Sequence, residues 1–210
     1  MVEILVTPLD AGPAGDDAVT LLSGDERLRA SRFAGPRARR RFAVARAELR
    51  KQLGARLEVP PQSIEFAYGP QGKPRLAGRH QHTGLRFSVS HCDGVAALAF
   101  ATGGEVGVDI EALRAVPEAD QIAAQLCTPA EWDAYEALAE HQRPRGFLSW
   151  WTRKEAFVKA HGGGLGHPPD AFDAAVVEFI PGPRLVGAVA FAPADDAHVI
   201  VHPLGIADGD

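Results

Sequence analysis

Apolar and polar positions follow two rhythms along this chain, one of period two and one of period three to four, and both halves run through them in a similar order. Val2 to Thr7 is short, apolar and β-branched, and Pro8 ends it, which predicts a first strand. Ser23-Gly24-Asp25-Glu26 fits a capping box, so a helix should run to about Phe33 and stop near Gly35. Pro36 suits the first turn of a longer helix, where Phe42, Ala45, Leu49, Leu53 and Leu57 form one buried stripe among arginines until Pro60-Pro61 closes it. Strands are then predicted at Ile64–Tyr68, Leu85–Ser90 and Val95–Ala101, with a turn-rich loop from Gly69 to Pro74.

Gly103-Gly104 makes a natural joint, giving one half at 1–104 and another at 105–210. The second half opens with a strand at Val106–Ile110, followed by an amphipathic helix from Pro117 to Leu126. Thr128-Pro129-Ala130-Glu131 is another capping box, for a helix burying Trp132, Tyr135 and Leu138. A longer helix is predicted from about Phe147 to Ala160, ending at Gly162-Gly163-Gly164. Strands at Ala174–Phe179, Leu185–Phe191 and His198–His202 finish the chain, and only Asp208-Gly209-Asp210 looks loose. The order strand, helices, strands suggests a duplicated α+β architecture without a residue-level repeat.

With 210 residues and 46% apolar content, the chain can bury one large core or two small fused ones. Its longest apolar run, Val95 to Ala101, is too short to span a bilayer, and its first residues lack a secretory pattern. Cys92 and Cys127 form no paired motif, which argues against a zinc site or a disulfide scaffold and for a cytoplasmic protein with reduced thiols. The net charge of −5 is uneven: nine arginines and one lysine against Glu48 give +9 between Arg27 and Lys51, leaving −14 for the rest (−5 minus +9). Such a segment attracts polyanions or is simply a solvated helix face. Nucleic acid is disfavoured, because only Phe33 and Phe42 are aromatic there and the whole chain is acidic.

Candidate chemistry concentrates in two segments. In Gly107-Val108-Asp109-Ile110-Glu111 the two acids fall on one side of a strand, ~7 Å apart at their α-carbons, while Val108 and Ile110 point to the core. Carboxylates that close repel unless a cation lies between them, and oxygen-only donors suit magnesium; two exposed acids at a strand end are the alternative. In Trp151-Thr152-Arg153-Lys154-Glu155-Ala156-Phe157-Val158-Lys159, Glu155 and Lys159 lie one helical turn apart. They form either a surface ion pair or charges on a buried helix that need partners. Trp150, Trp151 and the following glycines favour the second reading. His91 after Ser90 is either structural or phosphate-binding, and no G-x-S-x-G elbow activates Ser90. Gly72-Lys73-Pro74 is a turn or a rigid mount for a lysine.

Taken in order, Gly72-Lys73-Pro74, Phe87-Ser88-Val89-Ser90-His91, Gly107 through Glu111 and Trp151 through Lys159 closely resemble the 4′-phosphopantetheinyl transferases of the Sfp type, over about Ser23 to Leu165. The resemblance implies an α+β fold of two similar halves related by a pseudo-twofold axis. Each half would pack helices on a small, mostly antiparallel sheet, with coenzyme A in the cleft between them. It implies Asp109, Glu111 and Glu155 as ligands of magnesium, with manganese as the alternative. Glu155, Lys159 and Glu131 would be catalytic, Glu155 or Glu131 accepting a serine proton. Coenzyme A would be contacted by Arg29, Arg46, Lys73, Pro74, Ser90, His91, Asp109, Lys154 and Lys159, with Arg27 a weaker candidate. Ser88 stands where the family commonly has asparagine, and Cys92 where serine is usual.

The implied reaction moves 4′-phosphopantetheine from coenzyme A to a serine of an acidic acyl or peptidyl carrier protein and releases 3′,5′-adenosine diphosphate. The protein would be a cytoplasmic monomer with no nucleic-acid or membrane partner. A magnesium-dependent hydrolase of coenzyme A or a related nucleotide diphosphate, and a noncatalytic module docking carrier proteins, are the alternatives.

Overall fold

Two sheets pack against one another around one apolar core, and a long helix covers the outside of each. The computed structural model describes residues 1–11, 15–69, 72–162, 174–193 and 198–202. Pro70, Gln71, Gly163, Gly164 and everything beyond His202 lie outside the described residues. The first half contains β1 (Val2–Pro8), α1 (Gly15–Thr20), α2 (Gly24–Ser31), α3 (Pro36–Leu57), β2 (Phe66–Tyr68), β3 (Pro74–Leu76), β4 (Leu85–Cys92) and β5 (Val95–Thr102). The second contains β6 (Glu105–Ala112), α4 (Ala119–Leu126), α5 (Pro129–Glu136), α6 (Arg143–His161), β7 (Ala175–Phe179), β8 (Leu185–Ala192) and β9 (Val199–His202).

The main sheets have the orders β4-β5-β1-β9 and β6-β8-β7. In each half the opening strand pairs antiparallel with the last strand of a hairpin, β1 with β5 and β6 with β8. The partner within that hairpin, β4 or β7, lies beyond it. The mixed α+β class is therefore as expected. β9 departs from the expected halves: it runs parallel to Val2–Leu5 in the first sheet, and the Val2 amide donates to the His198 carbonyl.

Alternation decides which faces meet. Val2, Ile4 and Val6 of β1, Ala97, Ala99 and Ala101 of β5, Val106, Val108 and Ile110 of β6, and Val189 and Phe191 of β8 form the shared core. Across the first sheet, Leu98, Phe100 and Phe87 meet Leu49 and Leu53 of α3. Across the second, Ala188 and Ala190 meet Ala156 and Ala160 of α6, an interface of small residues that lets the helix lie close. Among the described residues no helix is long and apolar enough to cross a membrane.

Three local features differ from expectation. β3 begins at Pro74, in the segment read as loop, and pairs with β2 in a two-stranded ribbon, where proline's missing donor is tolerated at a strand start. α6 starts earlier than predicted, at Arg143, with Pro144 in its first turn. On α3 the buried positions are Ala43, Ala47, Leu49, Arg50, Leu53 and Gly54, because the helix packs against Ala18 and Leu22 as well as the sheet.

Arg50 is 1% exposed and its guanidinium Nε donates to Glu26 Oε2 at 2.7 Å, while Nη1 donates to the carbonyls of Pro61 and Ile64. Much of the basic segment is answered in this way within the protein: Arg37 and Arg41 grip Asp10, and Arg46 lies beside Glu26.

Helix α6 rests directly on β6 at Gly107. A methyl group there would lie 2.0 Å from the Ala156 carbonyl oxygen and 2.3 Å from the Ala160 nitrogen, both backbone atoms that cannot turn aside. Gly107→Ala should therefore cost ~1–3 kcal/mol or more as the helix lifts, read in thermal unfolding as about 2–4 °C for each kcal/mol. An unchanged midpoint would show that α6 does not bear on the strand at this point.

Candidate active site

The side chains of Gly107, Asp109 and Glu111 alternate with the core residues of β6, and the missing side chain at Gly107 seats α6. That seat brings Lys159 Nζ to 2.7 Å from Asp109 Oδ1 and 3.2 Å from Ser90 Oγ. β4 and β6 are not backbone-paired; serine hydroxyls span them instead. Ser88 Oγ accepts from the Val108 amide at 3.1 Å, and Ser90 Oγ accepts from the Ile110 amide at 3.4 Å. Ser90 Oγ also donates to Asp109 Oδ1 at 2.7 Å. One hydroxyl thus uses its single donor and both acceptor positions. Asp109 is 5% exposed, and its Oδ2 has no hydrogen-bond partner among the described residues.

Glu111 and Glu155 lie within electrostatic reach of Asp109. Burial raises the Glu111 carboxyl above its ordinary range, Asp109 and Glu155 add to the rise, and Arg114 and Lys159 oppose it. Burial likewise raises Glu155; Lys159 opposes the shift and Asp109 reinforces it. The expected cluster of three acids is nevertheless not closed: among the described residues no three His, Cys, Asp or Glu side chains stand close enough to hold a metal ion. Lys159 takes Oδ1 of Asp109, and Arg114 lies 3.5 Å from Glu111 Oε2, so cations already share these charges. The donor set still fits magnesium in kind. All its ligating atoms are oxygens, and a buried carboxylate oxygen of Asp109 is left over.

A cleft of about 900 Å³ runs from Glu155 and Lys159 on α6 to Lys73, Pro74 and the face of β4. Lys73 and Pro74 lie on its wall. His91 follows Ser90 at the end of β4; desolvation lowers its pKa, and the charges of Lys159 and Arg41 lower it further.

The remaining expected contacts are otherwise engaged. Arg46 is largely buried, 3.5 Å from Glu26 Oε1, with its guanidinium over Phe42 and Phe66. Arg29 is exposed and lies over Phe42 and Tyr68, and the Arg27 guanidinium is bonded to the Leu22 carbonyl. Lys154 reaches Glu131 Oε1 at 3.0 Å, and Glu131 Oε2 accepts from the Thr128 amide at 2.9 Å as a helix cap. Both Glu131 oxygens are thus occupied. Sequence reasoning passed over Glu105, which bridges Lys73 and Arg86. The alternation Glu105-Gly107-Asp109-Glu111 along one face of β6 was the signal that could have found it.

The comparisons bear on this constellation. A family model described as the 4′-phosphopantetheinyl transferase superfamily matches residues 105–203, the half holding Asp109, Glu111, Glu155 and Lys159. A second, described as 4′-phosphopantetheinyl transferase, N-terminal, matches residues 15–103. The chain belongs to the 4′-phosphopantetheinyl transferase superfamily.

It is 38% identical to the 4′-phosphopantetheinyl transferase HetI of Nostoc sp. over 149 residues, 71% of this chain and 63% of that protein. It is 37% identical to AcpT of Escherichia coli O157:H7 over 129 residues, 61% of this chain and 60% of that one. A 4′-phosphopantetheinyl transferase of Bacillus subtilis is 27% identical over 165 residues, 79% and 70% of the two chains. The chain thus spans less than two thirds of the length of HetI and AcpT.

Within this superfamily member, the occupation of Glu131 has a consequence for acid stability. Burial alone would raise its carboxyl, but the Thr128 amide and Lys154 outweigh burial and hold it below the ordinary 4.5. A depressed carboxylate contributes stability above its unfolded pKa and loses it as pH falls through the folded value. Unfolding midpoints of the wild type should therefore fall more steeply below pH 4.5 than those of Glu131→Gln; parallel profiles would refute the cap and ion-pair role.

Proposed function

We propose that the protein transfers the 4′-phosphopantetheine group of coenzyme A to a serine hydroxyl of an acyl or peptidyl carrier protein, releasing 3′,5′-adenosine diphosphate. The observation that carries this reading is the Ser90–Asp109–Lys159 contact, with Glu111 within electrostatic reach and with Glu155 and Lys159 lining a large cleft. Family membership supports it.

Asp109, Glu111 and Glu155 are the residues that would hold magnesium, which when bound neutralises charge on the diphosphate. Everything else falls to the chain. Lys159, anchored on Asp109 and Ser90, presents an ammonium to the diphosphate, and Lys73 lines the same cleft; His91, next to Ser90 on β4, is the further group to meet a phosphate. Catalysis of this kind is alignment and charge neutralisation more than covalent chemistry.

Attack by the carrier serine forms one oxygen–phosphorus bond on the pantetheine side. The bond to the adenosine-bearing phosphate breaks, and the serine proton must find a base. Glu155 suits that role: it makes no hydrogen bond or ion pair among the described residues, and burial and Asp109 raise its proton affinity. Glu131 is the weaker candidate, since Thr128 and Lys154 already hold its oxygens.

The deciding experiment is intact-mass analysis of an apo carrier protein incubated with coenzyme A, magnesium and this protein. Addition of one phosphopantetheine is expected. Release of phosphopantetheine to water would favour a hydrolase, and an unchanged carrier with intact coenzyme A a docking module. Asp109→Ala should fold and lose on the order of 10²-fold or more in rate. Normal turnover by a folded Asp109→Ala protein would sink the assignment.

A further inference from the structure

Three charged side chains meet where β6 begins. Glu105 Oε2 lies 3.5 Å from Lys73 Nζ, and its Oε1 lies 3.0 Å from Arg86 Nε. The Lys73 ammonium also donates to the Val106 carbonyl at 3.2 Å and the Ala160 carbonyl at 3.5 Å. The second acceptor belongs to the last turn of α6, where carbonyls lack helical donors and the dipole favours a cation. Lys73, a residue of the first half, therefore caps the helix that carries Glu155 and Lys159, and it does so on the wall of the cleft. Burial lowers its proton affinity; Glu105 opposes this and Arg86 reinforces it. Among the described residues, Glu105 is the one charged partner of Lys73 and the one side chain among the groups it meets.

The geometry points to Glu105 as a positioning residue for substrate binding: it holds the Lys73 ammonium between β6 and the end of α6, so that Lys73 meets coenzyme A from a fixed point. This rests on the transferase reading. Glu105 touches no reacting atom and acts through Lys73. Its carboxylate lies on the face of β6 that Asp109 shares, so one strand supplies both the reactive acid and the acid that sets the cleft wall.

The test is a double-mutant cycle. In Glu105→Gln the KM for coenzyme A should rise ~3–5-fold, the upper worth of a partly exposed ion pair, with kcat within about twofold. In the Lys73→Ala background the same substitution should change KM by less than about twofold, because the contact is already gone. An unchanged KM in the single variant overturns the proposal, as does an equal rise in both backgrounds; unfolding midpoints measured alongside exclude loss of fold.

A second readout does not need turnover. Acylation of the Lys73 amine by a small amine-reactive reagent, followed by mass spectrometry at fixed pH, should be faster in Glu105→Gln, since the ammonium loses its counter-charge. An unchanged labelling rate overturns the contact. A wild-type protein that modifies no carrier would count against the transferase reading and leave Glu105 to be judged by labelling alone.

Discussion

Close approach of two backbones, α6 upon β6, is the constraint from which the site follows. It is set by one missing side chain at Gly107 and by alanines at 156, 160, 188 and 190 that keep the helix low on its sheet. With larger residues the helix would stand further from the strand, and a lysine would have to cross the added gap. Here Lys159 reaches a buried carboxylate and a hydroxyl at once. The apolar interface thus fixes a polar geometry that surface ion pairing alone, worth ~0–1 kcal/mol, would not hold.

The electrostatics have a direction. Buried charges normally require pairing, and Arg50 shows it: it and Glu26 are both 1% exposed, and the arginine bonds Glu26 Oε2 and two backbone carbonyls. The acids near Asp109 are treated differently. One oxygen of Asp109 is satisfied twice and the other not at all, and burial and mutual repulsion raise Glu111 and Glu155. Glu26 Oε1 also lacks a hydrogen-bond partner among the described residues, yet two arginines face that carboxylate, whereas Asp109 faces one lysine and two acids whose proton affinity is raised.

How much of this was legible depended on range. The period-two rhythm of β6 placed Asp109 and Glu111 on one face, and the capping boxes placed α2 and α5, because those signals act over a few residues. Arg50 was missed because a hydrophobic stripe cannot announce a buried cation; its burial depends on Glu26, far along the chain. β3 was hidden behind Pro74, and β9 was assigned to the wrong half because a strand's own residues do not say which edge it joins. Motif resemblance brought Lys73 and Lys159 to the same cleft, yet it could not foresee that Lys159 would sit on Asp109 or that Lys154 would pair with Glu131. Those are contacts of packed elements, and local pattern carries no information about them.

The seam between the two sheets explains why elements of similar order make one asymmetric cluster. Had β4 and β6 paired as ordinary strands, backbone carbonyls would have taken the Val108 and Ile110 amides. Serine hydroxyls take them instead, and a hydroxyl, unlike a carbonyl, has a proton left to give. Ser90 gives it to Asp109, while Ser88, one rung away, has no carboxylate partner among the described residues and only keeps the strands in register. The first half therefore contributes hydroxyls and the Lys73 cap, and the second contributes carboxylates and Lys159. Because Ala97, Ala99 and Ala101 share a core with Val106, Val108 and Ile110, the halves cannot part without exposing that core. The same burial that holds the protein together holds Ser90, Asp109 and Lys159 in place.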